Sequence, residues 1–81
     1  MESDTREESP LVVLTVFREH DGWMVSEDGQ PLSRALQRDP AVDRAHAHAK
    51  LKLADGRAVD LIVETDMGGL TAKFLRPART H

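Results

Sequence analysis

The sequence predicts an α+β fold: an antiparallel sheet of four to five strands, in the order β-β-(β)-α-β-β, with one helix packed on one face. Three observations predict it. Asp39 to Gly56 carries a helix start, a helix body and a helix stop in the right order. Apolar or alternating runs of strand length stand before and after it, and glycine-bearing turns separate those runs.

In chain order, residues 1–9 hold Glu2, Asp4, Glu7 and Glu8 against Arg6, with no large apolar residue after the initiator. That composition reads as a disordered acidic tail. A single α+β domain is expected over 10–76, and a short basic tail over 77–81. Leu11 to Phe17 is the most hydrophobic run, rich in valine and of strand length. Both of its faces are apolar, with Leu11, Val13 and Phe17 pointing one way and Val12, Leu14 and Val16 the other; such a strand wants cover on both sides. His20, Asp21 and Gly22 make a turn, after which Trp23, Met24 and Val25 return as the second arm of an antiparallel hairpin over residues 11–26. Asp28 and Gly29 mark a second tight turn. Gln30 to Leu36 then reads either as a loop or as a short third strand, with its proline near the start, where a missing donor is tolerated.

Asp39 is a good N-cap, because its carboxylate can accept from the first free backbone amides. Pro40 follows at the first helical position. Asp43 in the first turn and Lys50 and Lys52 in the last complement the helix dipole, and Gly56 supplies the left-handed residue that ends the helix. Within the body, Val42, Ala45, Ala49 and Leu53 form one narrow apolar stripe. Ala45 to Leu53 also alternates strictly, which by period alone is a strand. Propensity favours the helix, since that window lacks β-branched and aromatic residues and is rich in alanine, lysine and leucine. Leu51 fits the helix worst, projecting opposite Val42. Beyond the helix, Ala58 to Glu64 places Val59, Leu61 and Val63 on one face of a half-buried strand. Asp66 to Gly69 turns the chain, and Leu70 to Leu75 is expected as the last strand, with Leu70, Ala72 and Phe74 inward and Thr71 and Lys73 outward.

Composition sets the outer bounds. The 81 residues suffice for one domain, and a chain this size buries only about 60% of the surface its unfolded form exposes, so it gains much from a partner. Without cysteine there is no disulfide framework and no thiolate chemistry. No secretory segment and no apolar run long enough to span a bilayer is evident, which points to the cytoplasm and to no membrane partner. A net charge of −3 and 4% aromatics argue against a nucleic-acid surface.

The residues with chemically versatile side chains read better as structure. On a strand, His46 and His48 would share a face and make a workable pair of metal ligands; on a helix they diverge by about 200° and cannot chelate one ion. Asp60, Glu64 and Asp66 are the outer face and end of a half-exposed strand rather than an acid–base cluster. Met67-Gly68-Gly69 lacks the helix and lysine that follow in a phosphate loop. Ser26 and Ser33 sit in no nucleophile motif, and Trp23 is expected in the core rather than as a ligand platform. The expectation is therefore no enzyme, no metal site and no cofactor.

A single helix covers one face of such a sheet, so the other must be polar or meet something else. The first strand is polar on neither face. Val12, Leu14 and Val16, or whichever alternate set faces away from the helix, are thus expected in a homodimer or small-protein interface, unless the tails or the segment around residue 30 fold over that face. The expected role is a non-catalytic dimeric interaction module.

The apolar first strand, the Gly22–Trp23 pair opening the next, Asp28–Gly29, the helix start at Asp39, and Asp60-Leu61-Ile62-Val63 before a glycine turn together resemble a family of small bacterial proteins catalogued as a domain of unknown function. The resemblance covers roughly residues 11–75 and brings no catalytic residues with it. The front part, Leu11 to Lys52, is also similar in layout to antitoxins of the HicB type, whose β-β-β-α core neutralises a small ribonuclease toxin. That likeness implies an antitoxin-like protein as the alternative role.

Overall fold

The computed structural model describes residues 11–77; the acidic tail expected over 1–9, and all of the expected basic tail except Pro77, lie outside them. The described elements are β1 (Val12–Glu19), β2 (Gly22–Glu27), β3 (Gln30–Ala35), α1 (Arg38–Ala54), β4 (Val59–Glu64) and β5 (Leu70–Leu75). The five strands form one sheet in the order β3-β2-β1-β4-β5, and α1 packs across β1 to β4 on one face.

Local turn chemistry builds the meander. His20 has φ 47° between β1 and β2, and Asp28 and Gly29 have φ 50° and 87° between β2 and β3, the left-handed conformations that two-residue hairpins require. Asp28 is also tied to the start of β1: its N–H donates to the Val13 carbonyl at 2.8 Å, and its Oδ1 accepts from the Val13 N–H at 2.9 Å. The segment left open as strand or loop is a strand, Gln30–Ala35, paired antiparallel to β2 with a register shift opposite Val25 and Ser26.

The 45–53 window is helical. Its stop is the one expected: Gly56 takes φ 84°, its N–H donates to the Leu53 carbonyl, and the Arg57 N–H donates to the Lys52 carbonyl, both at 3.0 Å. This pair of bonds satisfies carbonyls that a helix end otherwise leaves free. The start is two residues earlier than expected. Gln37 is the N-cap and makes no side-chain cap bond, while Asp39 lies in the first turn; there its charge favours the dipole, and Pro40 still occupies a position whose N–H would have no helical partner. Lys52 Nζ lies 3.2 Å from Glu27 Oε2, pinning the C-terminal turn of α1 to the end of β2.

The expected all-antiparallel sheet is corrected at its centre, where β1 pairs with β4 in parallel, Val12 opposite Val59 through Val16 opposite Val63. The reason is directional. As the third strand of a meander, β3 runs parallel to β1; α1 carries the chain back along the sheet, and the next strand starts at the end where β1 starts. The free edge of β1 is the place it fills.

The core lies between α1 and the sheet. Val12, Leu14, Val16, Trp23, Val25, Val59, Leu61 and Val63 meet Ala41, Ala45 and Ala49 of the helix, with Val42, Leu53, Ala35 and Leu75 packed around them. Trp23 is in this core, with the Arg18 guanidinium 5.1 Å from its ring centroid. Gly22 makes the β2–β3 corner fit, since a Cβ there would sit 2.8 Å from the Ala35 carbonyl oxygen. The obstacle is backbone and cannot rotate away, so Gly22→Ala is expected to cost about 1–3 kcal/mol and to lower the thermal midpoint by roughly 4–8 °C per kcal/mol. A melting curve superimposable on the wild type would contradict that close approach.

Candidate functional site

Of the two alternate sets on β1, Val12, Leu14 and Val16 are the one that α1 covers. Val12, Leu14 and Val16 are 0%, 0% and 1% exposed and form the floor beneath Ala41, Ala45 and Ala49. The alternate set, Val13, Thr15 and Phe17, faces away from the helix and is half-buried. Both faces of β1 are apolar, and the sequence pattern does not distinguish which of them the helix covers.

Cross-strand neighbours share a face, so the paired register defines the surface that α1 leaves uncovered among the described residues. Phe17 opposes Met24, and Thr15 opposes Ser26 on β2. On the other flank Val13 opposes Asp60 and Thr15 opposes Ile62; Ile62 in turn opposes Ala72, Asp60 opposes Phe74, and Glu64 opposes Leu70. The expected facing of β5 is therefore reversed: Leu70, Ala72 and Phe74 lie on the uncovered face, and Thr71, Lys73 and Leu75 lie on the helix side, opposite Val63, Leu61 and Val59. The signal that decides this is the loop. Thr65 and Gly69 close on each other, with the Thr65 N–H donating to the Gly69 carbonyl at 2.8 Å, and Gly68 at φ 88° marks a three-residue hairpin loop. Counting outward from that closure pairs Val63 with Thr71.

Burial on this face falls from one flank to the other. Met24 and Ser26 on β2 are 8% and 6% exposed, whereas Leu70 and Phe74 on β5 are 70% and 53%. Polar groups also occur on this face. Arg34 pairs with Glu19 at 3.2 Å, Glu64 Oε1 accepts from the Arg18 N–H at 2.9 Å, and the Arg76 guanidinium lies 5.8 Å from the Phe74 ring centroid. The result is a mixed surface, in which Thr15, Ser26, Asp60 and Glu64 interrupt the apolar side chains and the most exposed part runs along β5.

The candidates for chemistry are dispersed. His46 is exposed and His48 half-buried on α1, and among the described residues no three His, Cys, Asp or Glu side chains stand close enough to hold a metal ion. Asp60 and Glu64 flank Ile62 on the uncovered face, with Glu64 occupied by the Arg18 amide. A shallow groove of about 230 Å³ lies between α1 and β5, with Ala49, Leu53 and Leu75 as its floor and His46, Lys50 and Lys73 around its mouth. Among the described residues no helix is long and apolar enough to cross a membrane. No family model, curated protein or solved structure matches the chain.

Proposed function

We propose that this chain is a non-catalytic interaction module of the bacterial cytoplasm that acts as a homodimer, its contact built on the uncovered sheet face rather than on Val12, Leu14 and Val16. The observation that carries the proposal is the exposure of Leu70 and Phe74, at 70% and 53%, on the same face as Ile62 and Ala72, with Asp60 and Glu64 standing between them and the apolar side chains of β1. Large apolar side chains gathered on one face of a small domain mark a contact site, and a chain of this length has much to gain from burying them. The bacterial and cytoplasmic parts rest on the resemblance and on composition. A second reading has its own support in the strand order: the three-stranded meander followed by α1, Val12–Ala54, keeps the layout of a HicB-type antitoxin, in which the same face would hold a small toxin. Copurification with a small basic protein in place of a second copy would favour it.

The test is the mass in solution by light scattering across micromolar concentrations. The expected value is twice 9.0 kDa, that is 18 kDa. Phe74→Lys is expected to return the mass to 9.0 kDa while changing stability by no more than about 0.5 kcal/mol, as befits a largely exposed position. A wild-type chain that stays at 9.0 kDa throughout overturns the dimer.

A further inference from the structure

The sheet has two outer strands, and they are built differently. β3 is guarded in the ways that exposed edges usually are: Pro31 lacks an N–H, the register with β2 slips opposite Val25 and Ser26, and the Arg44 guanidinium donates to the Arg34 carbonyl. β5 has none of these three, and Lys73 is its one charged side chain. It contains no proline, and its register with β4 runs without a break from Val59 opposite Leu75 to Glu64 opposite Leu70.

The direction of its free backbone groups follows from the hairpin. Thr65 and Gly69 form a hydrogen-bonded pair, and such pairs alternate along an antiparallel ladder. Val63 with Thr71, Leu61 with Lys73 and Val59 with Leu75 are then the bonded pairs, so the N–H and C=O groups of Leu70, Ala72 and Phe74 point outward from the edge. The same three residues put their side chains on the uncovered face.

We infer that a second copy of this chain joins along this edge, β5 antiparallel to β5 with the two-fold axis at Ala72, so that two five-stranded sheets become one of ten strands. The inference rests on the self-association reading and moves the contact to the β5 edge, where only Leu70, Ala72 and Phe74 of the uncovered face take part. In this register Ala72 meets Ala72 of the second copy, Leu70 meets Phe74, and Thr71 meets Lys73. Every outward donor finds an acceptor, the Leu70 and Phe74 side chains bury each other on the uncovered face, and Lys73 opposes a threonine rather than another lysine, avoiding a like-charge pair. Charge is complementary as well. Arg76 follows one end of β5, while Glu64 and Asp66 flank the other end at the hairpin; antiparallel pairing sets the basic end of each copy beside the acidic end of the other.

The experiment uses the full chain, which contains no cysteine. Ala72→Cys would place two thiols on the axis, where Cα atoms of a bonded antiparallel pair stand about 5.5 Å apart, within disulfide range. Mild oxidation is expected to convert it to a covalent 18 kDa species, at least about tenfold faster than Leu36→Cys beyond the β3 edge, because only the former pair is held together. Ala72→Pro removes one outward N–H while leaving the ladder to β4 and the apolar face in place; it is expected to be a folded 9.0 kDa monomer. A wild type at 9.0 kDa overturns both self-association and the edge. A wild type at 18 kDa that Phe17→Lys splits, with Ala72→Cys oxidising no faster than Leu36→Cys, overturns the edge alone and leaves the uncovered face as the contact. Should Ala72→Pro unfold, the cysteine rates still decide.

Discussion

Leu14→Lys is expected to abolish folding rather than to split an assembly. Leu14 is fully buried among the side chains between sheet and helix, so the substitution loses the apolar contacts of leucine, worth about 2–5 kcal/mol when truncated to alanine. It also buries an ammonium group whose cross-strand neighbour, Glu27, already pairs with Lys52, at a further cost of several kcal/mol. A chain of this length has only about 4–12 kcal/mol of stability in total. Far-UV circular dichroism and a thermal melt would show it: the variant is expected to lack a cooperative transition at 25 °C. Phe17→Lys, three positions along on the opposite face, is expected to keep one. If Leu14→Lys melts within a few degrees of the wild type and Phe17→Lys does not fold, the helix covers the other face of β1.

The second large effect is expected at the helix. Ala41, Ala45 and Ala49 are 0%, 0% and 2% exposed, and their small side chains let α1 lie close over the valines of β1 and β4. Ala45→Leu inserts three further carbons into that contact and is expected to destabilise by about 1–3 kcal/mol, in spite of leucine's good helix propensity. Denaturant titration reads this as a lower midpoint at an unchanged slope. Leu51→Gln is the internal comparison, because Leu51 is 65% exposed on the outer side of the same helix; its effect is expected to stay within about 0.5 kcal/mol. A midpoint for Ala45→Leu at or above the wild type would mean unfilled space between helix and sheet.

The alanine stripe also explains why the helix was legible despite a conflicting pattern. Strict alternation over Ala45–Leu53 places its apolar residues at every second position, which a helix distributes around its circumference, leaving Leu51 in solvent. Alanine, lysine and leucine carry that segment as a helix by backbone preference, and the Gly56 stop is a local backbone requirement that no tertiary contact has to supply. The hairpin turns at His20 and at Asp28–Gly29 are legible for the same reason: each depends on residues that accept positive φ, a property of the residue itself.

What sequence alone determined is thus the set of elements other than β3, their order and their turns, because propensity, capping and turn chemistry act over a few residues. Tertiary structure decided three things that depend on distant parts of the chain. The direction of β4 beside β1 follows from where α1 delivers the chain. The choice of Val12, Leu14 and Val16 for the core, over the equally apolar Val13 and Phe17, follows from which side of the sheet the helix lies. The outward facing of Leu70, Ala72 and Phe74 follows from the register that the Thr65–Gly69 closure imposes against β4, since a shift of one residue would exchange the two faces.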